Sequence, residues 1–299
     1  MRAIGLLVAA AAVVLSSRSS GQQASPITNG SHPAISPDGH HIAFTSNRDS
    51  TNDIYVMDEN GGNVVRLTKS AENEGIAGWS ADSRRLVYSV VRGDTATIYA
   101  IPMGGGSTAR IGWSHGQGTR ITADGTRVMY GELPWQTMQL FVANLDGSNR
   151  KQLTPGVSAF YCSAISRDGE QIATSRSDSG SLQIWLFRLD GSASRQLTRF
   201  TPDQGHAQCP DWSSDGRRLA IQSDVTDRQN PKNATSHIWV IDVASGAATK
   251  LASHMAPYQD ELPAWFPDGK RIAFQSDRTG RWEIWVMNAD GTDARQITR

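Results

Sequence analysis

The chain has 299 residues, a formal net charge of +0 and 38% hydrophobic residues. A chain of this length buries about 75% of its unfolded surface on folding, and it can hold one or two domains. Acidic and basic residues are equal in number, 29 of each, which indicates neither nucleic acid nor an anionic membrane surface as the partner.

The N-terminus has the pattern of an export signal. Met1 and Arg2 are followed by an apolar run at residues 4–15 and then by polar serines. The run is too short to span a bilayer and has the length of the apolar core of a signal peptide. We predict a signal peptide at residues 1–21, no membrane span after its removal, and a periplasmic or secreted mature protein.

A turn motif recurs along the rest of the chain as SPDG, SADS, TADG, SRDG, SSDG and FPDG. An apolar residue follows each Asp by four positions, and Ile or Trp precedes it by three. An aliphatic-aromatic pair comes later in each unit, and most units close on Leu-Thr or Ile-Thr. The repeated aspartates are Asp38, Asp82, Asp124, Asp168, Asp215 and Asp268.

Each unit predicts four short strands. An Asp-Gly turn forms a tight hairpin, because Asp bonds to nearby backbone and Gly accepts positive φ. Short segments rich in Ile, Val and aromatic residues between turns are typical of strands. Six such units predict an all-β fold, a six-bladed β-propeller of four-stranded antiparallel blades, because stacked blades bury the faces that one sheet cannot bury alone. We predict one propeller domain at residues 26–299, with blades at about 31–69, 75–112, 117–154, 161–198, 208–252 and 261–299.

Three positions in the repeat are tryptophans, Trp79, Trp212 and Trp265, and we expect their side chains to lie between neighbouring blades. Closure of the ring has two solutions. Either residues 26–30 or the C-terminal segment ARQIT can supply the fourth strand of the last blade.

The stretch GWSHG, at residues 112–116, matches the G-x-S-x-G nucleophile elbow. That motif requires a strand before the serine and a helix after it. The repeat instead places these residues in a loop between the second and third blades, with a strand following. We therefore predict that Ser114 is not a nucleophile, and we predict no catalytic residues.

The seven histidines are scattered among different units and give no metal-ligand spacing. We predict no cofactor, with Ca²⁺ held by acidic loop residues as the alternative. Cys162 and Cys209 occupy the same register on the first strands of neighbouring blades. They form either a disulfide or two buried thiols, because the spacing is close to the limit for a bond.

The segments that lead into each first strand differ in length and in side chains, whereas the Asp-Gly turns at the opposite ends are repetitive. Variation on a repeated frame is where repeat proteins place recognition. We predict partner binding at this mouth of the channel, by Glu74, His115, Gln117, Phe160, Tyr161, His206, Gln208, Asp260 and Glu261.

The repeats resemble the WD40-like propeller repeats of the TolB family, the periplasmic component of the Tol-Pal cell-envelope system. The resemblance rests on AISPDGHHIAFTSNRD with IYVMDENGG, and on LPAWFPDGKRIAFQSDRTG with IWVMNADGT. It covers about residues 26–299 and implies a TolB-like exported propeller. The N-terminal α/β domain through which TolB proteins contact inner-membrane Tol proteins is expected to be missing. Similar propellers occur in prolyl oligopeptidase, tricorn-type proteases and oligogalacturonate lyases, so the motif is less specific for function.

We therefore expect a monomeric, non-catalytic scaffold that binds an envelope protein or peptide. Two alternatives remain open: a polysaccharide-degrading enzyme of the lyase-propeller type, and a sensor of glycans or small molecules.

Overall fold

The computed structural model describes residues 30–132, 134, 137–154, 160–178, 181–225, 235–251 and 258–298, except for the side chains of Asn73, Gln117 and Asp178. The predicted signal peptide and residues 26–29 of the N-terminal candidate strand lie outside the described residues. Among the residues described, no helix is long and apolar enough to cross a membrane.

The described residues form six four-stranded antiparallel sheets, each built from four consecutive strands, so the predicted six-bladed propeller is confirmed. The first three blades contain β1 (Ser31–Ile35), β2 (His41–Ser46), β3 (Asp53–Asp58) and β4 (Val65–Arg66); β5 (Asn73–Trp79), β6 (Arg85–Arg92), β7 (Thr95–Pro102) and β8 (Ala109–His115); and β9 (Gln117–Ile121), β10 (Arg127–Glu132), β11 (Gln139–Asn144) and β12 (Lys151–Gln152). The last three contain β13 (Phe160–Ile165), β14 (Gln171–Asp178), β15 (Ser181–Arg188) and β16 (Ser194–Gln196); β17 (His206–Trp212), β18 (Arg218–Val225), β19 (Thr235–Asp242) and β20 (Ala248–Lys250); and β21 (Asp260–Trp265), β22 (Arg271–Ser276), β23 (Glu283–Asn288) and β24 (Arg295–Gln296).

The repeated turn is held by its own side chains. Ser36 Oγ donates to Asp38 Oδ1 over 2.6 Å, and the same carboxylate oxygen accepts from the His40 amide at 3.0 Å. Gly39 has a φ of +79°, which a side chain would strain. The same hydroxyl-carboxylate bond occurs in four further blades, as Ser80-Asp82, Thr122-Asp124, Ser166-Asp168 and Ser213-Asp215.

In four units a closing threonine fastens the end of the unit to its third strand. Thr198 Oγ1 accepts a hydrogen bond of 2.8 Å from the Ile184 amide and donates one of 2.8 Å to Gln183 Oε1. A hydroxyl can do both at once, which accounts for the recurring Leu-Thr or Ile-Thr pair. The equivalent bonds to backbone amides are made by Thr68, Thr154 and Thr298.

The core consists of six clusters of buried apolar side chains, and each cluster joins two consecutive blades. Trp79, Trp212 and Trp265 are 7%, 6% and 5% exposed and lie in three of these seams, as predicted. One cluster joins Phe44 of the first blade to Phe266 of the last, so the ring is closed.

The C-terminal strand β24 pairs with β23 and is the fourth strand of the last blade. The N-terminal side of the described chain packs against the same blade. The Gly30 amide donates to the Trp282 carbonyl oxygen at 3.2 Å. A Cβ at Gly30 would lie 2.8 Å from Ile284 Cγ1, so this close approach requires glycine.

The predicted loop at GWSHG is wrong, because these residues continue the outermost strand β8. Ile98 pairs with Gly112, and Ala96 pairs with Ser114, because β7 is long enough to offer partners this far. A Cβ at Gly112 would lie 2.5 Å from the Leu145 carbonyl oxygen, so glycine permits contact with the third blade. Strand β9 follows at once. The strand-turn-helix context that a nucleophile elbow requires is therefore not present around Ser114.

Candidate functional site at the channel mouth

The first strands of the six blades, β1, β5, β9, β13, β17 and β21, form a ring in which each contacts the first strand of both neighbours. They enclose a central channel. We call the end where these strands begin the mouth, and the end where they reach the repeated Asp turns the turn end.

Every first strand carries an irregularity in its pairing with the second strand. It lies at or next to the position six residues before the turn Asp, where Cys209 and Leu262 have φ of 48° and 50°. The freed amide of Leu262 donates to Gln222 Oε1 of the preceding blade at 2.9 Å, and that of Cys209 donates to Ser175 Oγ at 3.2 Å. The bulges therefore join the blades along the channel wall.

Cys162 and Cys209 form a disulfide between the first strands of the fourth and fifth blades, with their Cα atoms 4.7 Å apart. The bond fits because the two residues share one register on neighbouring strands. The alternative of two buried thiols is therefore not the state of this structure.

Three of the predicted mouth residues do not present their side chains to the channel opening. Phe160 is fully buried and packs edge-on against Phe187. His115 is exposed, but it ends the outermost strand β8 rather than lining the channel wall. Asp260 is 3% exposed. Both of its oxygens accept 2.7 Å bonds from Arg278 Nη2. These three residues do not differ from the others in the sequence, because all lie in the same variable segments.

The other predicted residues begin first strands at the mouth. Gln117 begins β9, and the half-buried Tyr161 lies at the start of β13. His206 Nδ1 accepts a 3.1 Å hydrogen bond from the Leu182 amide, which leaves Nε2 as the protonated nitrogen of the neutral ring. Glu74 accepts a 2.7 Å bond from Ser70 Oγ. Burial raises the pKa of Glu74, and hydrogen bonds from Thr68 and Ser70 oppose that rise.

Blades five and six bring acidic side chains together at the mouth. Gln208 Nε2 donates to Asp224 Oδ2, and Ser236 Oγ donates to Asp224 Oδ1 at 2.5 Å. Glu261 Oε2 accepts a 2.9 Å bond from Gln275 Nε2. Asp224 was not predicted from the sequence, since it lies near the end of the second strand, β18. We call the group formed by Asp224, Glu261 and Asp277 the acidic pocket.

The charged neighbours that act on Glu261 in the acidic pocket are acidic residues. Burial raises the pKa of Glu261 to about 7, and the charges of Asp224, Asp277 and Asp260 raise it further, against the bond from Gln275. Burial also raises the pKa of Asp224. A cation placed beside Glu261 would therefore be stabilised.

Two charged residues deeper in the channel were also missed. Arg120 of β9 and Asp211 of β17 lie four residues before their turn Asp, where the other blades carry Ala34, Gly78, Ala164 and Ala264. Asp211 Oδ2 accepts a 2.7 Å bond from the Trp265 amide, and burial raises the pKa of Asp211 to about 6. The signal was visible as two charges at a register position that is otherwise Ala or Gly.

Within the described ranges, no group of three or more His, Cys, Asp or Glu side chains is arranged to hold a metal ion.

A closed ring of six four-stranded blades, with a variable mouth and a repetitive turn end, defines the β-propeller class. The profile of the family described as TolB beta propeller domain matches residues 131–299. A profile described as Tricorn protease N-terminal beta propeller domain matches residues 11–139. The chain belongs to the TolB β-propeller family.

One curated relative agrees with this assignment, and two solved structures share the fold. The Tol-Pal system protein TolB of Anaeromyxobacter sp. is 35% identical over 89 residues, which are 30% of this chain and 18% of that protein. The crystal structure of TolB from Acinetobacter baumannii superposes with a TM-score of 0.70 at 16% identity, covering 88% of this chain and 64% of the other. An oligogalacturonate lyase from Vibrio parahaemolyticus has a TM-score of 0.61 at 13% identity, covering 87% and 90%. The chain spans between 13% and 30% of the lengths of four curated relatives that it matches.

Proposed function

We propose that the protein is an exported, TolB-like propeller that binds a protein or peptide at the channel mouth and catalyses no reaction. The observation that carries the proposal is the acidic pocket, in which Glu261 lies beside Asp224 and has acidic residues as its charged neighbours. A lysine or arginine of the partner supplies the missing cation. Tyr161, half-buried on the fourth blade, offers the apolar surface that such contacts combine with charge.

The enzyme alternative receives less support from the same residues. Three channel groups with acid-base chemistry are bonded to the frame: Asp211 to the Trp265 amide, His206 to the Leu182 amide and Asp260 to Arg278. A polyuronate substrate would also bring repeated carboxylates past the acidic pocket, where like charges repel. The same repulsion applies to an acidic glycan bound by a sensor.

The proposal includes a periplasmic or secreted location, a monomeric state and an envelope protein as the partner. The predicted signal peptide supports export, and the matching relative named as a Tol-Pal system protein supports an envelope setting. Binding through carboxylates, amides and an aromatic ring needs no cofactor.

A peptide-retention assay tests the proposal. Immobilised wild-type protein is exposed to a pool of random octapeptides, and the retained peptides are sequenced. We expect enrichment of Lys and Arg that Glu261→Gln removes, because the substitution keeps the shape and deletes the charge. The matched control is Glu170→Gln, an exposed glutamate at the turn end. Retention without basic enrichment, or equal loss in both variants, would contradict the proposal.

A further inference from the structure

The channel is bridged at its turn end by one side chain. Arg167 Nη2 donates a 3.2 Å hydrogen bond to the Pro37 carbonyl oxygen. Arg167 directly precedes the turn Asp of the fourth blade, and Pro37 directly precedes that of the first. These blades lie opposite each other in a ring of six, so the arginine spans the channel there. A segment that enters at the mouth therefore meets an obstacle before the far end.

A second guanidinium lies partway along the same channel. Arg120 pairs with Met129, and Asp211 pairs with Ala220, so both occupy the same level of their strands. Arg120 interacts electrostatically with His32 of the first blade and with Asp211 of the fifth, neither of which neighbours the third blade. Only the shared central space lets the guanidinium act on both. Ala or Gly at this level in the other four blades leaves room for it.

Among the described residues, only part of the Arg120 guanidinium donates hydrogen bonds. Its Nη1 donates to the carbonyl oxygens of Ile76 at 3.3 Å and Thr119 at 3.0 Å. In the described part of the chain, no acceptor bonds to its Nε or Nη2, and no carboxylate forms an ion pair with it. Asp211 acts on it from a distance and is bonded to the Trp265 amide. Burial lowers the pKa of Arg120, and the charge of Asp211 opposes that shift.

A carboxylate is the ligand that this group fits. The planar fork of an arginine offers parallel N–H donors that match the two oxygens of a carboxylate, and such charge-assisted bonds are stronger than neutral ones. Asp211 at the same level repels a second carboxylate, so the site suits a ligand that brings one.

Charge changes with depth along the channel. The acidic pocket lies at the mouth, Arg120 is three residues further along the strand register than Glu261, and Arg167 spans the turn end. At about 3.3 Å per residue, Arg120 lies about 10 Å below Glu261. An N-terminal ammonium would meet positive charge at the bottom, and a threaded chain would meet Arg167. A peptide C-terminus brings one carboxylate and ends there.

We propose that the channel binds the C-terminal carboxylate of the partner peptide at Arg120, about three residues beyond a basic residue held by the acidic pocket. The choice of a peptide as ligand rests on the proposed function. The carboxylate subsite itself rests on the position and free donors of Arg120.

Two pools of random octapeptides with identical composition test the subsite, one with free C-terminal carboxylates and one with C-terminal amides. We expect wild-type protein to retain the free acids about tenfold better, the ratio that one charge-assisted hydrogen bond supplies. Arg120→Gln should bring the ratio close to one. Arg120→Lys should give an intermediate ratio, because it keeps the charge and loses the fork. Arg84→Gln, the same change at an exposed turn residue, should keep the wild-type ratio.

The outcomes separate the two proposals. Equal retention of acids and amides by wild-type protein, with basic enrichment still dependent on Glu261, overturns the carboxylate subsite and leaves the proposed function standing. An acid preference that persists in Arg120→Gln and Arg120→Lys also overturns the subsite. Retention of neither pool by wild-type protein contradicts both proposals. A melting curve of each variant confirms that the fold is intact.

Discussion

The indole nitrogen of Trp212, in the fifth blade, donates a 3.2 Å hydrogen bond to the carbonyl oxygen of Ala164 in the fourth. Trp79 makes the equivalent bond to the previous blade, at 3.1 Å. Trp265 has the same register and a similar burial, yet its indole nitrogen has no hydrogen-bond partner among the residues that the structure describes. Its ring lies beneath the guanidinium of Arg218, at 4.6 Å. The repeat thus fixes where each indole ring packs, while the polar contact of the indole nitrogen differs between seams.

This difference predicts unequal costs for one substitution. Trp212→Phe removes the donor and leaves the Ala164 carbonyl oxygen without it, whereas Trp265→Phe removes no hydrogen bond. We expect Trp212→Phe to lower the free energy of unfolding by about 1 kcal/mol more than Trp265→Phe. Urea denaturation of both variants measures the difference. Equal losses would mean that the indole bond contributes nothing.

The closing threonine predicts a polar contribution to stability. Thr198→Val keeps the shape of the side chain but removes the partner of the buried Ile184 amide, so we expect a loss of about 1–3 kcal/mol. The control is Thr249→Val, on the exposed strand β20, which should change stability by less than about 0.5 kcal/mol. Denaturant midpoints of the two variants measure the loss. A Thr198→Val variant as stable as the wild type would refute the stabilising role of the threonine.

The disulfide predicts a response to reduction. It joins residues separated by 47 positions, and a crosslink of that span stabilises by about 2–4 kcal/mol. We expect a reductant, or the pair of changes Cys162→Ser and Cys209→Ser, to lower the melting temperature. Alkylation in urea without reductant should add no mass, and alkylation after reduction should add two labels. Labelling of both cysteines before reduction would exclude the bond.

Glu261 predicts a pH-dependent stability. Its pKa is about 7 in the folded protein against an ordinary value of 4.5. Between those values the folded state binds more protons than the unfolded state, so stability falls as pH rises through this window, and the loss is complete above pH 7. Glu261→Gln cannot ionise. We expect it to exceed the wild type in stability by about 3 kcal/mol at pH 8 and to match it below pH 4.5.

Chemical denaturation at pH 4.5 and pH 8 measures this effect, with Glu170→Gln as the exposed control that should follow the wild type at both values. A Glu261→Gln variant that is equally stable at pH 8 would show that the acidic pocket carries no electrostatic strain. The predicted gain would mean that the pocket reduces stability in order to keep a charge at the mouth.

The sequence predicts the propeller because its defining interactions are local. The bonds of the Asp38 turn and of Thr198 join residues within one unit, so they recur as a visible pattern. The extension of β8 was not predicted, since it depends on the length of its partner β7 and brings Gly112 close to Leu145 of the next blade.

The residues of the candidate site were only partly predictable for the same reason. Glu261 was identified from the variable segments, whereas Asp224 acquires meaning only when two strands bring it beside Glu261. The charge of Arg120, at a register position that is Ala or Gly in four other blades, was visible in the sequence, but its position in the shared channel was not. Asp260 was assigned to binding, although Arg278, eighteen residues away in sequence, occupies both of its oxygens. Pairings between units leave no repeat in the sequence.

The central claim is that the mouth, and not the turn end, faces the partner. Site-specific photocrosslinking in intact cells tests it most directly, with benzoylphenylalanine replacing Tyr161 at the mouth or the exposed Lys270 at the turn end. We predict a discrete crosslinked partner from position 161 that disappears when Glu261→Gln is added, and none from position 270. A partner captured from position 270 alone, or one captured from position 161 regardless of Glu261, would contradict the account.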